Sequence, residues 1–194
     1  AALGAGQTIY IVAAYDDPMI EAELQAFNTQ FGLPACSSFS VTAQPLPAPS
    51  GNTCQFTKVY VDGNGNQTTT APAYQSAWAS EIALDVQWAH ATAPLARLVL
   101  IEATDDSATN VTRAIALANR LGPGVVSMSF GTNEDTNVSD WDANFTTTNM
   151  SYVAAAGDVA RGPIQWPASS PWVLSVGGTS LRGFTSAGVR TETV

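Results

Sequence analysis

Short, almost wholly apolar runs alternate with amphipathic stretches along this chain. Residues 8–14 (Thr-Ile-Tyr-Ile-Val-Ala-Ala) form the first run, too short and too β-branched for a helix, and predict a buried strand. Asp16-Asp17-Pro18 then predicts a helix start, with an acid as N-cap and Pro at the first helical position. Ile20, Leu24, Phe27 and Phe31 recur at helical spacing, and Gly32 closes the helix ahead of Pro34. Residues 35–73 are rich in Pro, Gly, Asn and Ser. They read as a loop-rich insertion with one strand at 56–61 and a turn at Asp62-Gly63-Asn64-Gly65. Beyond it the pattern predicts a helix over 74–90 with Trp78, Ile82, Asp85 and Ala89 near one stripe. A strand at 96–103, a helix at 107–121 ended by Gly122-Pro123-Gly124, and a strand at 125–130 follow. A helix over 137–148 and strands at 152–156 and 172–176 complete the pattern. Strands alternating with helices at this spacing imply right-handed βαβ crossovers and an α/β fold with a mainly parallel sheet, in one domain of 194 residues.

Composition narrows the function classes. Only 12% of residues are charged, and the net charge is −9 with one lysine, Lys58, and six arginines. Seven scattered cations cannot assemble a basic patch, so nucleic-acid binding is disfavoured. Many of the 16 acids would be neutral at about pH 3 to 4, which removes self-repulsion and suits an acidic medium. No apolar run is long enough to span a membrane. Cys36 and Cys54 fit no zinc spacing, and no histidine is near them in sequence. A disulfide would staple the Pro-rich segment between them by roughly 3 kcal/mol, and implies an exported protein, secreted with its leader removed.

Several acids stand where chemistry is possible. Tyr152-Val153-Ala154-Ala155-Ala156 ends at Gly157-Asp158, as a buried parallel strand does when it carries a carboxylate to the carboxyl edge of a sheet. Asp158 either caps the following turn or, protonated, donates a hydrogen bond to a developing oxyanion. Glu81 and Asp85 stand at i and i+4 on the second helix. They are two acids on a solvated face, or, if buried, a pair that shares a proton and so makes a general base at low pH. Ile82, Leu84, Val86 and Trp88 leave that segment little room for exposed charge. Ser127-Met128-Ser129-Phe130-Gly131 ends a strand that can pair with an extended peptide. His90, the one histidine, has no serine motif beside it and reads as structural; no nucleophile elbow, P-loop or zinc-protease motif is present.

Four stretches, taken in order, resemble the sedolisins, the serine-carboxyl peptidases that are acid-acting relatives of the subtilisins. They are Ala13-Ala14-Tyr15-Asp16-Asp17-Pro18; Glu81 to Asp85; Ser127 to Gly131; and Ala154-Ala155-Ala156-Gly157-Asp158, followed by Trp166-Pro167-Ala168-Ser169-Ser170-Pro171 and Val176-Gly177-Gly178-Thr179. The resemblance implies a three-layer subtilisin-like fold and endopeptidase action at acidic pH. Glu81 would be the base for a serine, Asp85 would orient Glu81, and Asp158 would serve the oxyanion. Ser127, Ser129, Phe130 and Gly131 would bind the substrate. Where the family has Ser-Gly or Glu-Gly after Gly-Asp, Val159-Ala160-Arg161-Gly162 stands here. Gly178-Thr179-Ser180-Leu181 imitates the nucleophile motif but follows a strand directly, so Ser180 reads as a look-alike. The resemblance places the true serine and a calcium loop past Val194. The fold is therefore expected to be incomplete at its C-terminus and to need a complementing chain that carries the serine. The competing expectation is an exported, non-catalytic module that binds peptides without cutting them.

Overall fold

The computed structural model describes residues 2–134, 138–159, 162–184 and 190–193. In chain order its elements are β1 (Thr8–Ala14), α1 (Ile20–Phe31), β2 (Ser37–Ser38), β3 (Gln55–Val61), β4 (Gln67–Thr68), α2 (Ser76–Thr92), β5 (Arg97–Ala103) and α3 (Ala108–Leu121). Then come β6 (Gly124–Met128), β7 (Thr132–Asn133), α4 (Val138–Trp141), β8 (Met150–Ala155), β9 (Gln165–Trp166), β10 (Leu174–Val176), β11 (Ser180–Phe184) and β12 (Arg190–Thr193). Strands cross the main sheet in the order β10-β8-β6-β1-β5-β3-β2, all parallel, with β4 antiparallel along β3. The 35–73 segment is thus tied into the sheet, because β3 pairs with β5 along its whole length.

The chemistry of β1 explains its central place. A strand with apolar side chains on both faces is stable only when both faces are covered. Ile11 and Ala13 pack with Ile20 and Leu24 of α1 and Ile82 and Val86 of α2. Tyr10 and Val12 face the other way, against Val111, Ile115 and Ala118 of α3. The result is three layers, α1 and α2 over the sheet over α3. Gly32 ends α1 in the left-handed conformation (φ 66°), and its N–H reaches the Asn28 carbonyl.

The structure departs from the sequence pattern in four places. First, α1 begins at Ile20, after Met19, so Pro18 is not its first residue and the acid before it is not its cap. The Asp16 carboxylate is drawn instead to Lys58 and Tyr60, while Asp17 Oδ1 accepts the Met19 N–H at 2.9 Å. Second, the buried stripe of α2 is Ile82, Val86 and His90, while Leu84 and Trp88 are exposed. Only one face of α2 meets the sheet, so the apolar residues on its far side do not exclude water. Third, β6 stops at Met128, which leaves Ser129 and Phe130 beyond the strand. Fourth, the helix expected over 137–148 shrinks to α4 and a 3₁₀ turn at Asp142–Phe145, where the Thr-rich run that follows has poor helix propensity; Asn137 lies outside the described residues.

Candidate active site at the carboxyl rim of the sheet

Because the main strands run parallel, β1, β6 and β8 all deliver their carboxyl ends to one edge. Past those ends lie Tyr15 (φ 62°), Ser129 and the Gly157-Asp158 pair. α2 arrives at the same edge with its first turn held by Gln75, whose side-chain oxygen accepts the Trp78 N–H at 2.8 Å.

Asp85 is strongly perturbed there. Ser129 Oγ donates a hydrogen bond of 2.6 Å to Asp85 Oδ1 and joins α2 to the end of β6. Burial drives the Asp85 pKa up to about 7. The Ser129 hydrogen bond opposes that rise, and the Glu81 carboxylate adds to it through its charge and a shared hydrogen bond. Glu81 itself is half-buried. It lines a cleft of about 310 Å³ with Gln75, Ala77, Trp78, Ser129, Phe130 and Gly131. Trp78 stands between Tyr15 and Phe130, each 6.4 Å away by ring centroid. On the other side of the Trp78–Phe130 wall a second hollow of about 290 Å³ is closed by Trp166 and by Asp106, which accepts the Trp78 indole N–H at 3.3 Å.

The other expected residues fall as follows. Ser127 sits inside β6, in register with Ile11 and Val153, and does not line the cleft. Ser129, Phe130 and Gly131 do line it. Asp158 is exposed, three residues past the end of β8. Gly157, before it, has φ 101° and approaches Gln165, whose Oε1 would lie 2.6 Å from a Cβ there and 2.8 Å from one on Gly131. One glutamine therefore spans the gap between two strand ends. Ser180 opens β11, which is antiparallel to β12 and outside the main sheet. Cys36 and Cys54 form a disulfide. No histidine is near them in sequence, yet the fold brings His90 against both sulfurs.

A buried polar cluster also escaped the sequence reading. Lys58 Nζ donates to Asp16 Oδ1 at 2.6 Å and to the Asp17 carbonyl at 2.7 Å. Burial disfavours the Lys58 charge, but the Asp16 hydrogen bond and the nearby acids outweigh it and leave its pKa raised. Glu102, fully buried, is pushed up to about 9 by desolvation. Its Oε2 is 3.8 Å from Lys58, beyond hydrogen-bond reach, so the carboxyl stays protonated at neutral pH rather than forming a strong ion pair. The available signal was the chain's one lysine, placed inside a largely buried strand.

A mainly parallel sheet covered on both faces by helices is the architecture of a subtilisin-like domain. The chain belongs to the subtilase family of serine peptidases, whose sequence pattern matches residues 63–192. Pseudomonas sedolisin, a serine-carboxyl proteinase solved with two molecules of pseudo-iodotyrostatin, shares the fold over 100% of this chain, with a TM-score of 0.69 and 22% identity. The chain spans 54% of that structure. PatG macrocyclase in complex with peptide (TM-score 0.46, 14% identity, 92% of this chain and 59% of that one) and sphericase (0.43, 18%, 98% and 59%) are more distant. Among curated protein sequences nothing matches.

Proposed function

We propose that this chain supplies the acidic half of an acid-acting serine-carboxyl endopeptidase. The observation that carries this reading is Asp85, a half-buried carboxyl one helical turn from Glu81, held by Ser129 and raised to about 7. In acidic solution Asp85 is neutral, and its carboxyl shares a hydrogen bond with Glu81 and orients it. An oriented carboxylate removes the proton from a serine hydroxyl as its oxygen bonds to a peptide carbonyl carbon. The same proton then passes to the departing amine, and an acyl-enzyme remains for water to hydrolyse. The Asp158 carboxyl is the proposed hydrogen-bond donor to the oxyanion of the tetrahedral intermediate. Ser129, Phe130 and Gly131 hold the extended substrate along the cleft. The proposal includes a serine past Val194 or on a second chain, together with a calcium loop. The Cys36–Cys54 disulfide supports an exported setting; among the described residues no helix is long and apolar enough to cross a membrane.

The alternative is a peptide-binding module without turnover. The Ser129–Asp85 hydrogen bond favours it, because that bond already occupies the Asp85 carboxyl. Cleavage of fluorogenic peptides between about pH 3 and 7, by the protein together with the polypeptide bearing the serine, separates the two. Glu81→Gln is expected to lose about 10²-fold or more in kcat. Unchanged cleavage in that variant removes the base, and peptide binding without cleavage by the unaltered protein supports the alternative.

A further inference from the structure

We infer that Asp16, Lys58, Tyr60 and Glu102 form an acid lock: one proton, held between the Glu102 and Asp16 carboxyls, fixes the turn after β1 beneath the cleft, and its loss lets that turn open. Glu102 is fully buried and Asp16 nearly so. Glu102 Oε1 accepts the Asp17 N–H at 3.1 Å, while Oε2, also buried, has no hydrogen-bond partner among the described residues. Ionised, this carboxyl would be a buried charge with one oxygen lacking a donor. A proton gives it a donor of its own, and Asp16 shares a hydrogen bond with it. Asp16 is the partner that stays ionised. Burial opposes its charge, but hydrogen bonds from Lys58 and Glu102 outweigh burial and lower its pKa. Lys58 Nζ and Tyr60 OH donate to the same Asp16 Oδ1, at 2.6 and 3.2 Å. Glu102 neutral, Asp16 negative and Lys58 positive leave the set with no net charge.

The set fastens a turn on which the rim depends. Tyr15 holds a left-handed backbone (φ 62°), a conformation that a tyrosine keeps only where its neighbours fix it. Its N–H reaches the Ala103 carbonyl at 2.9 Å, the Asp16 N–H reaches the Ala73 carbonyl at 3.0 Å, and Lys58 Nζ holds the Asp17 carbonyl at 2.7 Å. The Tyr15 ring lies 6.4 Å from Trp78, a wall of the cleft. Asp16 also bridges to Tyr74, next to the Gln75 that caps α2. Charged and titratable groups reach the set from each element packed on it. β3 brings Lys58 and Tyr60, the turn brings Asp16 and Asp17, and α1 brings Glu23, which shares a hydrogen bond with Asp17. α2 packs on the same face, with Asp85 held by Ser129 and His90 turned to Pro34. Loss of the Glu102 proton puts a second negative charge beside Asp16, with Lys58 left to serve both. An open turn hydrates Glu102 and restores its ordinary acidity. A carboxyl raised to about 9 in the closed turn therefore stabilises that turn fully in acid and loses the contribution as pH climbs from an ordinary 4.5 toward 9. As a device that holds the cleft wall in acid, the lock rests on the peptidase reading; as a property of the turn, it does not.

The test is amide hydrogen exchange of the full chain by NMR between about pH 5 and 8, read as protection factors, which remove the intrinsic pH dependence of exchange. Opening that hydrates Glu102 makes the Asp17 amide lose protection by up to about tenfold per pH unit. Expected is a loss of at least about thirtyfold over the range, with amides at the centre of β1 better protected than Asp17 throughout. Glu102→Gln keeps an acceptor for the Asp17 N–H but cannot ionise, so its Asp17 protection should vary by less than about threefold. A loss below about thirtyfold in the unaltered protein overturns the inference, whether or not the variant folds. An equal loss in Glu102→Gln overturns it too, as does Asp17 protection no lower than that of the β1 centre, which makes the opening global. Exchange needs no cleavage, so a failed lock and a failed peptidase reading are told apart.

Discussion

Asp85→Asn isolates the electrostatics of the rim. The Asp85 pKa stands near 7 in the folded chain against an ordinary 3.8. A raised carboxyl pKa costs nothing while both states are protonated, below about pH 4. As pH rises the unfolded chain releases the proton while the folded chain retains it, so stability falls by about 1.4 kcal/mol per pH unit until about pH 7. About three units give a ceiling near 4 kcal/mol, and the solvent that reaches this rim lowers the expected value to about 2. Asparagine has nearly the same shape, and its Oδ1 can still accept from Ser129 Oγ. The variant should therefore match the parent at about pH 4 and exceed it by about 2 kcal/mol at about pH 7.5. Urea unfolding at both pH values measures the difference. A gap between variant and parent that is the same at both pH values, within about 0.5 kcal/mol, refutes the burial argument.

Other expectations follow from the same geometry. Glu102 is raised to about 9, so its contribution has the same sign: Glu102→Gln should flatten the decline in stability from about pH 5 to 9 and change little at about pH 4. Lys58→Met strips the buried Asp16 of its 2.6 Å partner and should cost about 3 kcal/mol in denaturant unfolding, part of which Asp16→Asn restores; a cost below about 0.5 kcal/mol contradicts the cluster's role. Gly157→Ala combines φ 101° with a Cβ 2.6 Å from Gln165 Oε1. It should destabilise by about 1–3 kcal/mol, less in a Gln165→Ala background, as thermal melts of the double-mutant cycle can read. Reduction of the Cys36–Cys54 bond should lower stability by roughly 3 kcal/mol, seen as a fall in Tm.

Local chemistry determined a good deal of this protein unaided. The apolar run over residues 8–14 became β1 at the same bounds, Ser107 capped α3, and Gly32 ended α1, because each of these depends on a few adjacent residues. The Glu81–Asp85 spacing, the strand end before Gly157-Asp158 and the Cys36–Cys54 pairing were legible for the same reason. Tertiary structure alone decided which side of α2 meets water, since burial depends on what packs opposite: Trp88 and Leu84 are exposed while His90 is enclosed. It also decided every partner distant in sequence. Ser129 reaches Asp85 across 44 residues, His90 meets Cys36 across 54, and Lys58 finds Asp16 across 42. A side chain's protonation follows from its neighbours in space, and parallel strands joined by long crossovers choose those neighbours far from the residue itself.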